Sequence, residues 1–419
     1  MYLKNMRNLM MEQLTEFTLE NGLRAVHLHM PGAAVGYSGI AVHAGTRHED
    51  LADGQSGLAH FVEHCLFKGT SSLRAEDIRC AMESVGGELN AFTGKDDTVI
   101  YTVYPAGNEG LALGLVAQIT TGSTFPAAEL RRERRVVLSE IDSYRDSPAD
   151  QIYDDFEDMV LAGTPLGHPI LGTAGTVRRL GTEQCASWLR RHYTARRCVL
   201  FYAGNLDAGR FKAMAEARYG IMAEGEPCSA EPKVTGTVRT SVRRRDTHQT
   251  HTLVGAVITA PDARKRLATA LLLNVLGGPG MNAVLNVELR ERRGLVYTVE
   301  ASATHYVGAT LATVYYGCDP DDDSECLRLT LKTLRRYATE PMDENELQAA
   351  RRQFIGQTIV AGDNTAERIT SIARATLLYG RATSPEEMAA TVNSLTAAEL
   401  QAIAAEISSG LSRLTYRPR

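Results

Sequence analysis

The sequence predicts an α+β protein built from two duplicated domains, each a mainly antiparallel sheet packed against helices. Strand-like alternation and helix-like runs follow one order before about residue 220 and begin again after about residue 240. The interval between them, IMAEGEPCSAEPKVTGTVRT (221–240), is rich in Gly, Pro, Ser and Thr and has no apolar periodicity, as expected of a linker. Finally, ELRRERRVVLSEI (129–141) and ELQAARRQFIGQTI (346–359) share a Glu-Leu start and an Arg pair at nearly the same offset. Each is followed by a further helix and then by LGTEQ (180–184) or LTAAE (395–399). The expected organisation is a first domain over 13–220, the linker 221–240 and a second domain over 241–419, each near the usual single-domain size of about 200 residues.

Element by element, FTLENGLRAVHLHM gives two strands around the hairpin-turn pair Asn21-Gly22, and GYSGIAVHAGTRHED adds a third. Gly54 to Gly57 break into a helix across GLAHFVEHCLFKG (57–69), and SSLRAEDIRCAMESVGG forms a second helix closed by paired glycines. ELNAFTGKDDTVIYTVYP supplies two strands around residues 94–97, helices fill most of 107–195, and CVLFYAGNL (198–206) returns as a strand. After the linker come strand HTLVGAVITA, helix RLATALLLNVLGG, paired strands in RGLVYTVEASATHYVGATLATVYYG, and helices from about 324 to 407.

Composition narrows the function classes. With 44% hydrophobic and 23% charged residues the chain is of the soluble globular kind. A net charge of -5, from 45 basic and 50 acidic side chains, gives no field to attract nucleic acid or anionic lipid. The basic runs RRERR (131–135) and RRR (243–245) are therefore expected to be solvated faces. The seven cysteines are scattered with no C-x-x-C pair, so neither a disulfide framework nor a cysteine metal site is indicated, and a reducing compartment suits them. The N-terminal stretch MYLKNMRNLMMEQLTEF shows no signal-peptide pattern, and no segment offers 18 uninterrupted apolar residues. The expectation is a cytoplasmic protein that neither spans a membrane nor binds nucleic acid.

The chemistry centres on His60-Phe61-Val62-Glu63-His64. On a helix, His60 and His64 stack on one face with Glu63 beside them. Two neutral imidazoles so spaced can hold zinc, and the carboxylate can hold a water against it. The order H-x-x-E-H reverses the commoner H-E-x-x-H. Taken alone, the five residues are equally consistent with a polar helix edge.

A catalytic zinc needs three protein ligands and an open position, so a third must come from elsewhere. Glu140 lies on a predicted helix whose apolar stripe, Val136, Val137 and Ile141, is expected to face inward. Glu133, two turns earlier on the same face, could hydrogen-bond a ligating histidine from behind. Without the upstream motif, Glu140 would read as an exposed helix acid. In the second half Gln357 aligns with Glu140, and the helix matching 60–64 carries Ala, Leu and Asn, so only the first half has the ligand types.

In these residues the chain resembles the pitrilysin/insulysin family of inverted-zincin metallopeptidases, within its mitochondrial-processing-peptidase-like branch of roughly half-length chains. The resemblance covers nearly the whole sequence. It implies the LuxS/processing-peptidase-like metallohydrolase fold and one zinc per chain on His60, His64 and Glu140. Glu63 would be the general base, and Glu133 would support a ligand. GGELNAFTGKDDTVIY (86–101) resembles the family's edge strand, which places Asn90 and Ala91 along bound substrate. The physical basis is β-augmentation, the pairing of a free strand edge with an extended peptide; the plainer alternative for Asn90 is a strand-end residue.

LRERRGLVYTV (289–299) resembles the family's Arg/Tyr pair, so Arg290 would anchor a substrate carbonyl and Tyr297 would donate to the oxyanion, facing the zinc from the other half. A half-buried strand aromatic is the structural alternative for Tyr297. The implied activity is a zinc-dependent endopeptidase acting on peptides or unfolded segments inside a clamshell chamber, whose halves must meet for chemistry to occur. With both motifs in one chain, a homodimer is favoured over a heterodimer. The competing readings are an inactive core or scaffold-type subunit, which ordinarily lacks motif residues that are intact here, and a small-molecule zinc hydrolase, which the edge strand disfavours. Imidazole and carboxylate ligands also suit other divalent ions.

Overall fold

The computed structural model describes residues 13–228, 231 and 233–419. Residues 1–12, on which most of the N-terminal reading rests, and linker positions 229, 230 and 232 lie outside the described residues.

The strands are β1 (Gln13–Thr18), β2 (Arg24–His29), β3 (Val35–Val42), β4 (Glu88–Thr93), β5 (Thr98–Pro105), β6 (Cys198–Gly204), β7 (Thr240–Arg245), β8 (Thr250–Thr259), β9 (Val296–Tyr306), β10 (Ala309–Cys318) and β11 (Ser412–Pro418). The helices of the first half are α1 (Leu58–Leu66), α2 (Ala75–Glu83), α3 (Glu109–Gly122), α4 (Ala127–Arg145), α5 (Pro148–Val160), α6 (Ala174–Val177), α7 (Thr182–His192) and α8 (Ala208–Tyr219). Those of the second half are α9 (Ala263–Gly277), α10 (Asp323–Thr339), α11 (Glu344–Ala361), α12 (Thr365–Tyr379), α13 (Pro385–Ser394) and α14 (Ala397–Ser409).

Two six- and five-stranded sheets carry the fold, in the orders β1-β2-β6-β3-β5-β4 and β7-β11-β8-β10-β9. Without β1, the second order repeats the first, including the parallel pairs β2/β6 and β7/β11 within otherwise antiparallel sheets. The expected α+β class and its duplication are thus present in the strand order itself. Asn21-Gly22 makes the first hairpin turn as its dipeptide demands: Gly22 sits at φ 85, and the Asn21 side chain accepts the Leu23 N–H.

The chain divides into two compact units. Unit 1 comprises the chain up to Ile141, Ile170–Ala230 and Gly362–Thr383; unit 2 comprises Asp142–Pro169, Glu231–Ala361 and Ser384–Arg419. The change of unit near residue 230 falls within the expected linker, but two segments are exchanged. The helix α5, placed by sequence in the first domain, belongs to unit 2, and α12, placed in the second, belongs to unit 1.

Burial explains the exchange. Every residue of β6 is buried, so its sheet must be covered on both faces. The large core of unit 1 fills one face with residues such as Phe61, Ile78, Leu113 and Trp188. On the other face Ile369, Ala373 and Leu377 of α12 pack against Val26, Ala41, Val199 and Phe201. In unit 2, Ile152, Phe156 and Val160 of α5 similarly cover Leu253, Leu311 and Leu414. Helical periodicity gives the apolar stripe of α5 or α12, not the sheet that receives it.

Each exchanged helix is also tied by charge. Arg374 of α12 donates from Nε and Nη2 to the buried Asp97 carboxylate at 2.6 and 2.9 Å. Asp155 of α5 accepts from Tyr416 Oη at 2.5 Å, from Arg245 Nη2 at 2.9 Å, and from Arg243. The run 243–245 is therefore not simply a solvated face; it is the edge strand β7, and alternate arginines turn toward α5. No helix among the described residues is long and apolar enough to cross a membrane.

Candidate metal centre

The helix α1 is fixed before its functional residues are considered. Gly57 adopts φ 87 at its N-cap, and the Glu49 carboxylate accepts the N–H groups of Gly57 and Ala59 at 2.9 and 2.8 Å. An acid there satisfies otherwise unpaired donors and complements the positive helix end. Leu58, Ala59, Phe61, Val62, Cys65 and Leu66 are all buried in the unit 1 core. His60 and Glu63 are only 7% and 8% exposed, so HFVEH is not a polar edge facing solvent.

Opposite α1 stands α4, whose buried positions Leu130, Glu133, Val137 and Ile141 recur at helical spacing. Val136, expected in that stripe, is 51% exposed, because a neighbour one residue away lies about 100° around the helix. Glu133 takes an inward position instead, and Glu140, two turns on, points toward the histidines.

The ligating atoms of His60, His64 and Glu140 lie within 4.8 Å of one another. His60 Nε2 is 3.8 Å from Glu140 Oε1, and His64 Nε2 is 3.5 Å from Glu140 Oε2. Tetrahedral zinc with bonds of about 2.0–2.1 Å holds its donor atoms roughly 3.4 Å apart, close to the two histidine distances from Glu140. His64 Nδ1 donates to Glu133 Oε1 at 2.8 Å, and Lys68 Nζ reaches Glu133 Oε2 at 2.7 Å. A carboxylate behind a histidine fixes the tautomer that leaves Nε2 free to ligate.

Burial, followed by the neighbouring His64 charge, lowers the His60 pKa to about 4. Burial acts the same way on His64, but its hydrogen bonds to Glu133 and Glu140 outweigh it and raise the pKa to about 9. His60 is thus ready as a neutral ligand, whereas His64 must lose a proton when a cation binds. Burial raises the pKa of Glu63, against an opposing hydrogen bond from Thr93. Glu140 is lowered, chiefly by its hydrogen bond with His64. For Glu133 burial raises the pKa, but the hydrogen bonds from His64 and Lys68 prevail and lower it.

The edge strand β4 closes this side of sheet 1, paired with β5 through Asn90↔Tyr101 and Ala91↔Ile100. Asn90 is exposed and Ala91 half-buried. A cavity of about 340 Å³ runs beside the strand, lined by Phe67, Lys68, Ile78, Leu89, Asn90 and Glu129 among others. At the strand's end Thr93 Oγ1 donates to Glu63 Oε2 at 2.6 Å. Sequence reasoning did not single out Thr93 or Lys68; the four-residue spacing of Lys68 from His64 was the one available signal.

Arg290 and Tyr297 are in unit 2. Arg290 lies in a π-helical turn (Asn286–Glu291), and its guanidinium carbon is 5.8 Å from the Tyr297 ring centroid. Tyr297 is 80% exposed at the start of β9, the terminal strand of its sheet, which argues against a half-buried packing role. Where unit 1 has its trio, unit 2 has Asn274 Nδ2 donating to Gln357 Oε1 at 2.8 Å.

Comparison with known proteins accords with this division. Residues 24–174 match the family model described as Insulinase (Peptidase family M16), and residues 180–354 match the Peptidase M16 inactive domain. An uncharacterized zinc protease of Mycobacterium tuberculosis is 33% identical over 392 residues, covering 92% of this chain and 89% of the relative. The chain belongs to peptidase family M16. Another relative, an uncharacterized zinc protease of Streptomyces coelicolor, is 31% identical over 93% of this chain and 86% of its own. A protease from Helicobacter pylori has the same fold at TM-score 0.87 and 19% identity, covering 97% of this chain and 100% of that one. The region matched as inactive contains Asn274 and none of the clustered ionisable trio.

Proposed function

We propose that this M16 chain is a zinc-dependent endopeptidase that cleaves peptides or unfolded polypeptide segments laid along β4. The observation that carries the reading is the convergence of His60, His64 and Glu140 beside the buried Glu63, at the end of an unpaired sheet edge. Its relatives' designation as zinc proteases supports the choice of metal. A zinc ion on His60, His64 and Glu140 would polarise the scissile carbonyl and lower the pKa of a bound water toward about 7.

The chain's own groups supply the remainder. The free backbone groups of β4 pair with an extended substrate near Asn90 and Ala91, which sets its register. The adjacent cavity receives a substrate side chain. Glu63 takes the water proton and returns it to the leaving amine. Glu133 keeps His64 in its ligating tautomer. Arg290 anchors a substrate carbonyl, and the Tyr297 hydroxyl donates to the oxyanion. A half-length chain of this kind is inferred to work as a homodimer; light scattering that finds only an active monomer would remove that part.

The deciding experiment is Glu63→Gln assayed on a quenched, unstructured peptide. Zinc content is expected to stay near one per chain while turnover falls by about a thousandfold. Unchanged turnover would overturn the reading, and absent zinc in the parent protein would favour a scaffold.

A further inference from the structure

Glu63 has two carboxylate oxygens, and one of them is already engaged. Thr93 Oγ1 lies 2.6 Å from Glu63 Oε2, a short bond of the charge-assisted kind. A threonine hydroxyl has one proton, so its other contacts determine where that proton goes. Thr98 Oγ1, across the hairpin at 3.3 Å, has an acceptor of its own in the Ala44 carbonyl at 3.1 Å. The Thr93 proton is therefore directed at Oε2 of the carboxylate, and Oε1 takes no part in that bond.

The hydroxyl is held by more than its own strand. Thr93 ends β4, Thr98 begins β5, and residues 94–97 join them. In that turn Gly94, Lys95 and Asp96 carbonyls accept the N–H groups of Thr46, Arg47 and Gly45 at 3.0–3.2 Å. The Asp97 side chain is clamped by Arg374, and Asp96 pairs with the buried Arg47. A turn fixed on its backbone and through both acids cannot drift, so the hydroxyl meets Glu63 at one angle.

We infer that Thr93 is the positioning residue of Glu63, aiming the carboxylate from the same strand on which substrate pairs. The inference rests on the endopeptidase reading and adds a specific coupling to it. Peptide register along β4 and the orientation of the base are set by one strand, so both are defined relative to the scissile bond. A geometric contribution of this type appears in turnover rather than in binding.

Thr93→Ala and Thr93→Ser both lose the methyl group and differ in the hydroxyl alone, so their ratio isolates it. With the zinc-loaded protein and a quenched unstructured peptide, kcat of T93A is expected about 10- to 100-fold below that of T93S, with KM within about twofold. T93S should lie within a few-fold of the parent, and zinc content and melting temperature should match between the two variants. In a Glu63→Gln background, where cleavage is suppressed, both should bind the peptide equally by fluorescence anisotropy. Equal kcat for T93A and T93S, or a difference confined to KM or to peptide binding, overturns the role of Thr93. If Glu63→Gln leaves turnover intact, the endopeptidase reading itself has failed. Should T93A lose zinc or fold, Thr93→Val against the parent decides the same question, since valine keeps the shape of threonine and removes only the donor.

Discussion

Unit 1 and unit 2 share a strand order and a helix on each sheet face, yet they treat the meeting of two helices in opposite ways. In unit 2 the Asn274 amide donates to the Gln357 carbonyl, and the pair satisfies itself without charge. In unit 1 two imidazoles and a carboxylate converge, with Glu133 and Lys68 behind them. Those groups are ionisable, and the ligand atoms of His60, His64 and Glu140 gather within 4.8 Å of one another. A duplicated backbone therefore provides the same approach of helices twice; side-chain chemistry alone determines which copy can take a cation.

The strongest way to break this contrast is Glu140→Gln, which gives unit 1 the side chain of unit 2. Zinc affinity is expected to fall more than about 100-fold, read by metal analysis after dialysis, with activity falling alongside. Near-stoichiometric zinc in that variant would show that the carboxylate is not what separates the units.

Proton competition sharpens the contrast next. The His64 pKa of the metal-free fold is raised to about 9, above its ordinary value of 6.5. Its contribution to the stability of that fold is complete below pH 6.5 and lost as pH rises through about 9. Zinc must displace the same proton, so apparent zinc affinity should rise by up to about tenfold per pH unit across the window and then level off. Calorimetry should find the metal-free melting temperature falling where zinc affinity climbs. A zinc affinity flat from pH 6.5 to 9 would contradict the protonated state assigned to His64.

The helix ties provide the smallest effects. Asp97 depends on Arg374, so Arg374→Ala should cost about 2 kcal/mol in urea unfolding, less than for a fully buried pair because the guanidinium is 40% exposed. Asp155 shares three donors, so Tyr416→Phe should cost only about 1 kcal/mol. Equal losses would erase the distinction between a single and a distributed anchor.

Much of this was legible in the sequence, for identifiable reasons. HFVEH stands out because metal chemistry demands particular residue types at helical spacing, whereas Glu133 and Glu140, about 70 residues on, are picked out from other helix acids only by the family resemblance. The Gln357 match to Glu140 could be found because duplication leaves an internal ruler. Strands β7 and β11 could not: SVRRR and SRLTYRP carry too much charge and too few apolar positions to announce an interior partner. Val136 was misplaced because two adjacent valines cannot both face one core. Thr93 stayed hidden because a hydroxyl's role depends on which atom lies 2.6 Å away, and that atom is 30 residues distant in sequence.

The helix exchange also has a consequence in time. On the ribosome the strands of sheet 1 are complete once Gly204 has been made, but their cover begins at Thr365. At a synthesis rate on the order of 10 residues per second, that apolar face waits roughly 15 s for its partner. The amino-terminal half, which holds His60, His64 and Glu140, therefore cannot finish folding until α12 has been made, and unit 2 likewise waits for β11, so both units close only near the end of synthesis.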